Sequence, residues 1–292
     1  MFMKSLQTAG NPRRSTTSLV THIFISLTWF EPCHSIQVNH LSTALLSLLM
    51  LPHLLKTTKS SSITPRLVIV SSEVHYLTNI SKIERDSPDI LEKLSDKEYC
   101  TPSFVHPSAH SLLTCLFLSR RVMSSRYFVS KLLNIFFTRA LNAHLPLTGS
   151  LIVNAVNPGY CLTNFGRSPN RPLTQRVMGW ILDKTVAHTS EEGSRQLVYA
   201  AVGGKTDEKN MRGAYISGSR VDEVSDFVLS AEGTKVQDRI WVCVLTSCFL
   251  VRVNRAVTSV GGDNWDFVTS FTQSAEHFSG APSRQQHRCV VT

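Results

Sequence analysis

The stretch RLVIVSS at residues 66–72 decides the fold class. It is a continuous run rich in β-branched residues, too short for a helix and too uniformly apolar for a half-exposed strand. Such a run is typical of a strand that is buried on both faces of a parallel sheet. A similar run, SLIVNAVN at residues 150–157, ends at a Pro-Gly turn signal, and GAYIS at residues 213–217 predicts a short late strand.

Helical periodicity separates these predicted strands. The apolar residues between 38 and 55 recur on one helix face, with Pro52 expected in the last turn or at a kink. Further helices are predicted at 125–145 and at 191–201, where Ser190 can cap the first turn. Because strands alternate with helices, the predicted fold class is α/β, a parallel sheet with flanking helices joined by right-handed crossovers.

The composition indicates a globular chain and argues against a nucleic-acid partner. Apolar residues make up 42% and charged residues 17% of the sequence, which excludes wholesale disorder. The net charge is +9, but the basic residues are scattered, so we expect no nucleic acid as a partner. No uninterrupted apolar run reaches the roughly 18–20 residues that a membrane-spanning helix needs.

The cysteines and the first residues bear on location. The seven cysteines include no Cys-x-x-Cys pair and no histidine at zinc spacing, so we expect no metal site and a reduced, cytoplasmic environment. Residues 1–34 make a poor signal peptide and are interpreted as an irregular leader, with secretion as the less favoured alternative. Shallow anchoring through residues 19–30 or 241–253 leaves weak membrane association open.

The spacing Tyr127-x-x-x-Lys131 carries the clearest chemistry. On a helix these positions share a face, so we expect the Lys131 ammonium to favour the phenolate and lower the pKa of Tyr127. A phenol that titrates near neutral pH can act as a general acid or base. An ordinary surface pair has the same spacing, so the motif alone leaves both interpretations open.

Two further motifs follow the predicted strands. Ser71 and Ser72 end the first strand, and NPGYCLT at residues 157–163 follows the second. Ligands of α/β proteins gather beyond the carboxyl ends of strands, where a serine can donate a hydrogen bond to a substrate oxygen. Both motifs are also common turn sequences, so each alone is consistent with a simple turn.

In this order, the motifs resemble the short-chain dehydrogenase/reductase family, and VNHL at residues 38–41 is similar to its asparagine-containing helix. The resemblance implies that Ser72 polarises the substrate oxygen and that Tyr127 exchanges a proton with it. It also implies that Lys131 lowers the pKa of Tyr127 and holds the nicotinamide ribose. Asn39 would anchor the water that relays protons to Lys131, with a plain helix-start residue as the alternative.

The resemblance also implies the cofactor and the substrate class. NADP or NAD would bind at Tyr127 and Lys131, with Pro158, Gly159 and Thr163 along the nicotinamide. TSEEG at residues 189–193 and RGAYI at 212–216 resemble the retinol-dehydrogenase-like branch and its fungal relatives, which act on lipophilic alcohols and carbonyls. We therefore expect an NAD(P)-dependent oxidoreductase that interconverts a small lipophilic alcohol and carbonyl, and the resemblance leaves a homodimer open. Apolar residues within 167–188, the family's substrate lid, suit such a ligand, and simple helix packing is the alternative.

Two elements of the family pattern, a glycine-rich loop and an Asn-Asn-Ala-Gly strand end, have no counterpart. The glycine-rich pyrophosphate loop is missing, since Gly10 is the only glycine before Gly149. We therefore expect an N-terminally truncated, partial Rossmann-like sheet that lacks the first strands and this loop. The dehydrogenase part is assigned to 35–241, with an insert at 102–121 and an irregular tail at 242–292. These abrupt breaks suggest unspliced or mispredicted coding sequence. The alternative function is a catalytically inactive remnant or interaction protein.

Overall fold

A computed structural model describes residues 34–60, 64–96, 125–145, 151–162, 177, 180, 183–185 and 187–256. Nearly all of the expected leader and all of the expected insert at 102–121 lie outside these residues. Thr163 and the chain beyond 256 also lie outside them.

The described chain alternates between helices and short strands. The α-helices are α1 (His34–Ile36), α2 (Ser42–Ser60), α3 (Lys82–Asp86), α4 (Ile90–Ser95), α5 (Ser125–His144), α6 (Ser190–Val202), α7 (Asp226–Leu229) and α8 (Ala231–Ala256). The strands are β1 (Arg66–Val70), β2 (Ile152–Val156), β3 (Tyr215–Ser217) and β4 (Arg220–Asp222). A π-helical turn, Gln37–Leu41, joins α1 to α2, and 3-10 turns span Glu73–Leu77 and Lys205–Asp207.

The strands form one mixed sheet in the order β1-β2-β3-β4. β1 pairs with β2 in parallel over its whole length, with Arg66 opposite Ile152 and Val70 opposite Val156. β3 pairs in parallel with the end of β2. All five residues of β2 are buried, which is the environment that its continuous apolar run predicts.

The expectation of a purely parallel sheet is wrong at β4, which pairs with β3 in antiparallel register. Gly218 and Ser219 both adopt a φ of 57° between the two strands. A two-residue turn with positive φ at both positions matches the right-handed twist of a hairpin and forces the second strand to run back. The fold is therefore α/β, but its sheet is mixed, with β4 antiparallel to the other strands.

Helix α5 lies at the centre of the core. Both long faces of α5 are buried, against β2 on one side and α8 on another. Trp241 of α8 packs its indole 6.0 Å from the Phe137 ring and stacks 4.6 Å from His144. The core that positions the site is therefore built from β1, β2, α5 and α8.

Helix α8 corrects the expectation of an irregular tail from residue 242. The helix continues to Ala256, and Cys243, Val244 and Leu245 are buried in the main core. Apolar residues occupy all sides of this segment, so its sequence has no amphipathic period to signal a helix. The predicted boundary at 242 falls inside the helix.

Two helix ends differ in detail from the prediction. Thr189, not Ser190, caps α6, in a capping box in which Thr189 and Glu192 bond each other's backbone amides. Pro52 lies inside α2, which continues to Ser60.

The helical span Gln37–Thr58 is long and apolar enough by composition to cross a membrane, with mean hydropathy 1.4. Core helices of soluble proteins pass the same test, so this span carries no membrane assignment.

Candidate active site

The carboxyl end of β1 is fastened to α5 and β2 by Ser71. Its backbone amide continues the sheet by donating to the Val156 carbonyl at 2.8 Å. Its buried hydroxyl donates to the backbone carbonyl of Lys131 at 2.9 Å. Ser71 therefore has a structural role, because this bond holds the backbone of Lys131 on α5 next to the carboxyl end of β1.

Tyr127 and Lys131 lie together at this strand end. The Lys131 ammonium lies 5.5 Å from the centroid of the Tyr127 ring and donates to the Val70 carbonyl at 3.3 Å. Both residues are half-buried on the first turns of α5. The i,i+4 pair therefore faces the strand end and does not form an ordinary surface pair.

The expected fall in the pKa of Tyr127 does not occur in this structure. Burial raises the pKa of the Tyr127 phenol and lowers the pKa of the Lys131 ammonium. Both shifts have the same physical cause, because loss of water disfavours the charged form of each group. The attraction between ammonium and phenolate does not outweigh this cost, so the phenol stays neutral at neutral pH.

Ser72 follows β1 and begins the 3-10 turn Glu73–Leu77. Its side-chain oxygen accepts from the Val74 amide at 3.5 Å, and its own backbone is extended, with φ −166° and ψ 157°. Ser72 lies two residues beyond Val70, whose carbonyl Lys131 contacts. The structure thus places Ser72 at the same end of β1 as Tyr127 and Lys131.

Asn39 lies in the π-helical turn and reaches α5 next to the Tyr127–Lys131 pair. Its side-chain amide donates to the Ser130 hydroxyl at 3.1 Å, and that hydroxyl donates to the Tyr127 carbonyl at 2.7 Å. Single π-helical turns inside α-helices occur frequently at functional sites. The position of Asn39 beside the predicted pair is therefore consistent with a place in the site.

Sequence reasoning missed Asn134, which joins three parts of this region. Its buried amide donates to the Asn39 carbonyl at 3.0 Å and to the Val70 carbonyl at 3.2 Å. Its side-chain oxygen lies 3.1 Å from Nδ1 of His40. Because that oxygen can only accept, Nδ1 of His40 carries the proton and donates it. A polar residue three positions after Lys131 on a buried helix face was the available signal.

The residues after β2 form a separate, tightly held turn. The Asn157 side-chain oxygen accepts from the Gly159 amide at 3.0 Å, and its amide donates to the Ser217 hydroxyl at 3.2 Å. Gly159 has a φ of 80°, and a β-carbon there would lie 2.7 Å from Cδ2 of His188. Pro158 and Gly159 therefore lie beyond the carboxyl end of β2, which ends at Val156.

The thiol of Cys161 faces the start of α6. A β-carbon on Gly193 would clash with its sulfur, so the Cys161 side chain would have to move to admit any other residue there. Burial and the nearby Glu192 carboxylate raise the pKa of the Cys161 thiol.

Within the described ranges, no three His, Cys, Asp or Glu side chains are grouped as metal ligands would be.

Curated proteins resemble most of this chain. It is 35% identical over 204 residues to the short chain dehydrogenase sol3 of Alternaria solani, which covers 70% of the chain and 60% of that protein. It is 28% identical over 208 residues to the short-chain dehydrogenase/reductase dmxR8 of Cryptosporiopsis sp. (strain 8999), covering 71% of the chain and 56% of that protein. With the short chain dehydrogenase atnD of Emericella nidulans it shares 34% identity over 184 residues, 61% of the chain and 51% of that protein.

These similarities support the short-chain dehydrogenase/reductase family and suggest an oxidoreductase. No family model matches the chain. The chain spans between half and 60% of the length of the curated relatives it matches. Enzymes of this family generally use NAD(P).

Proposed function

We propose that this chain is an NAD(P)-dependent oxidoreductase that interconverts an alcohol and a carbonyl at Ser72, Tyr127 and Lys131. The observation that carries the proposal is the position of the Lys131 ammonium, 3.3 Å from the Val70 carbonyl and 5.5 Å from the Tyr127 ring centroid. This position brings the i,i+4 pair of α5 to the strand end that carries Ser72. The names of the relatives support the same reaction class.

The chemistry of the three side chains favours the reductive direction at neutral pH. The Ser72 hydroxyl would donate a hydrogen bond to the substrate carbonyl oxygen and polarise it. The Tyr127 phenol would then give its proton to that oxygen as the carbon is reduced. Because burial raises the pKa of Tyr127, the phenol is present as the proton donor that carbonyl reduction needs.

The proposal assigns one end of a nicotinamide cofactor to this strand end. Bound there, the nicotinamide would supply or accept the hydride. Lys131 offers N–H donors beside Tyr127 for the ribose hydroxyls, and Pro158 and Gly159 would line the nicotinamide. Thr163, which lies outside the described residues, is proposed for the same role on the sequence motif alone. For the pyrophosphate we assign no holder, because the sequence has no glycine-rich turn before Gly149. Asn39 would support Lys131 from the π-helical turn.

A lipophilic substrate is the proposed class. Val177 and Trp180, within the expected lid at 167–188, expose 51% and 63% of their surface. Large exposed apolar side chains suit an apolar ligand. The retinol-dehydrogenase-like branch, with its fungal relatives, is the subgroup that we propose on the motifs at 189–193 and 212–216.

The second candidate is the alternative from the sequence analysis, a non-catalytic chain that acts by contact with a partner. The two functions are separated by turnover. We expect the purified chain to oxidise NADPH or NADH with an apolar ketone or aldehyde, and Tyr127→Phe to lower the rate about 10²- to 10⁴-fold. Tyr199→Phe on α6 is the matched control and should keep the wild-type rate. A wild-type chain without turnover across such carbonyls would support the second candidate.

A further inference from the structure

The His75 imidazole bridges two segments that meet at the end of β1. Its Nδ1 lies 2.8 Å from the carbonyl oxygen of Ser72, and its Nε2 accepts from the Ser225 amide at 3.3 Å. A carbonyl can only accept and an amide N–H can only donate, so the ring carries its proton on Nδ1. His75 therefore holds Ser72 to the residue that precedes α7.

The surroundings fix the plane of this ring. His75 is fully buried and packs edge-on against Tyr215 of β3, with ring centroids 4.7 Å apart. The adjoining Tyr76 ring lies 4.0 Å away, and its hydroxyl donates to the Glu223 carbonyl. Both hydrogen bonds of the imidazole are thus made in one orientation.

The ring stays neutral in the physiological range. Burial lowers the pKa of His75 to about 4, so Nε2 remains an acceptor for the Ser225 amide near neutral pH. The Ser72 carbonyl also accepts from the backbone amide of His75 at 3.3 Å. The peptide plane of Ser72 is therefore held twice by the same residue.

We propose that His75 is a positioning residue for Ser72, an inference that rests on the proposed function. By holding the Ser72 peptide against the segment after β4, the imidazole fixes the direction in which the Ser72 hydroxyl leaves the backbone. A hydroxyl that must meet a substrate oxygen tolerates little displacement, since an error of about 1 Å can cost about 10²-fold in rate. Loss of the bridge should lower turnover and leave cofactor binding unchanged.

Three variants test the proposal through the split between kcat and cofactor affinity. His75→Phe keeps an aromatic ring against Tyr215 but removes both hydrogen bonds, and we expect kcat to fall about 10- to 100-fold at an unchanged cofactor Kd. His75→Asn keeps a donor toward the Ser72 carbonyl and should recover most of kcat. Tyr76→Phe removes the hydrogen bond to the Glu223 carbonyl, in the segment that also carries Ser225, but leaves the contacts of Ser72 unchanged. This variant should keep the wild-type kcat.

The outcomes separate this inference from the proposed function. Equal kcat in His75→Phe and the wild type, or equal losses in His75→Asn and His75→Phe, would overturn the positioning role. A proton–nitrogen NMR correlation of the wild-type ring that shows the proton on Nε2 would overturn it without any substrate. A wild-type chain with the Nδ1 proton but no turnover would instead overturn the proposed function, and the positioning role with it.

Discussion

Removal of the Asn134 side chain should destabilise the protein more than any other single polar change at the site. Asn134→Ala deletes the donor to the carbonyls of Asn39 and Val70 and the acceptor for His40. His40 is fully buried, so its Nδ1 proton would be left without a partner. A buried donor without a partner costs about 1–3 kcal/mol, and each lost hydrogen bond to a carbonyl costs about 1 kcal/mol.

The expected loss in the free energy of unfolding is therefore about 3–5 kcal/mol, a large share of the stability of a typical domain. Urea unfolding followed by far-UV circular dichroism measures it. Asn210→Ala is the matched control, because the exposed Asn210 bonds only the nearby Asp207 and should stay within about 0.5 kcal/mol of the wild type.

A double-mutant cycle tests the cause of this loss. In a His40→Phe background no imidazole proton remains to be stranded, so Asn134→Ala should cost about 1–3 kcal/mol less there. A cost below about 0.5 kcal/mol for Asn134→Ala in the wild-type background would show that Asn134 does not satisfy these buried groups.

Three further predictions concern pH, a turn and α8. Burial holds the pKa values of His40 and His75 near 4, below the 6.5 of an ordinary imidazole, so the unfolded chain binds protons first as the pH falls. The stability that their neutral rings contribute should be complete above pH 6.5 and fall by about 3 kcal/mol per ring by pH 4. Urea unfolding measured at several pH values checks this fall. A free energy of unfolding that does not change over this pH range would contradict it. Gly159→Ala should cost about 2–3 kcal/mol, because the new β-carbon would meet His188, whereas Gly218→Ala should cost only the backbone strain of about 1 kcal/mol. Thermal unfolding compares the two variants, and equal losses would exclude the clash. In α8, Val244→Ala should cost about 2 kcal/mol, while Val242→Ala, at a position 43% exposed, should cost well under 1 kcal/mol. Chemical denaturation of both variants measures the difference, and similar costs would argue against the burial of this face.

The sequence predicted the elements whose pattern is local. The runs that became β1 and β2 are continuous and β-branched, and the apolar residues of α2, α5 and α6 recur at helical spacing. β4 is short and polar, so only its turn with Gly218 and Ser219 marks it. The whole of α8 was missed, because beyond residue 241 its apolar residues surround the helix and give no period.

The candidate site was predictable where one helix carries it. The spacing of Tyr127 and Lys131 placed both on one face of α5, and the strand ends placed Ser72 nearby. The bonds from Asn134 to His40 and Asn39 span more than 90 positions of chain, so no local pattern could reveal them. The direction of the Tyr127 pKa shift depends on burial, which the spacing alone does not report.

Binding of NADPH and NADH to the purified chain, followed by nicotinamide fluorescence, decides whether this strand end holds a nicotinamide cofactor. We expect saturable enhancement with the wild-type protein and a weaker response with Lys131→Met, because Lys131 would hold the ribose. Lys205→Met, on the 3-10 turn after α6, should respond like the wild type. An unchanged signal up to millimolar cofactor would show that the chain does not bind NAD(P).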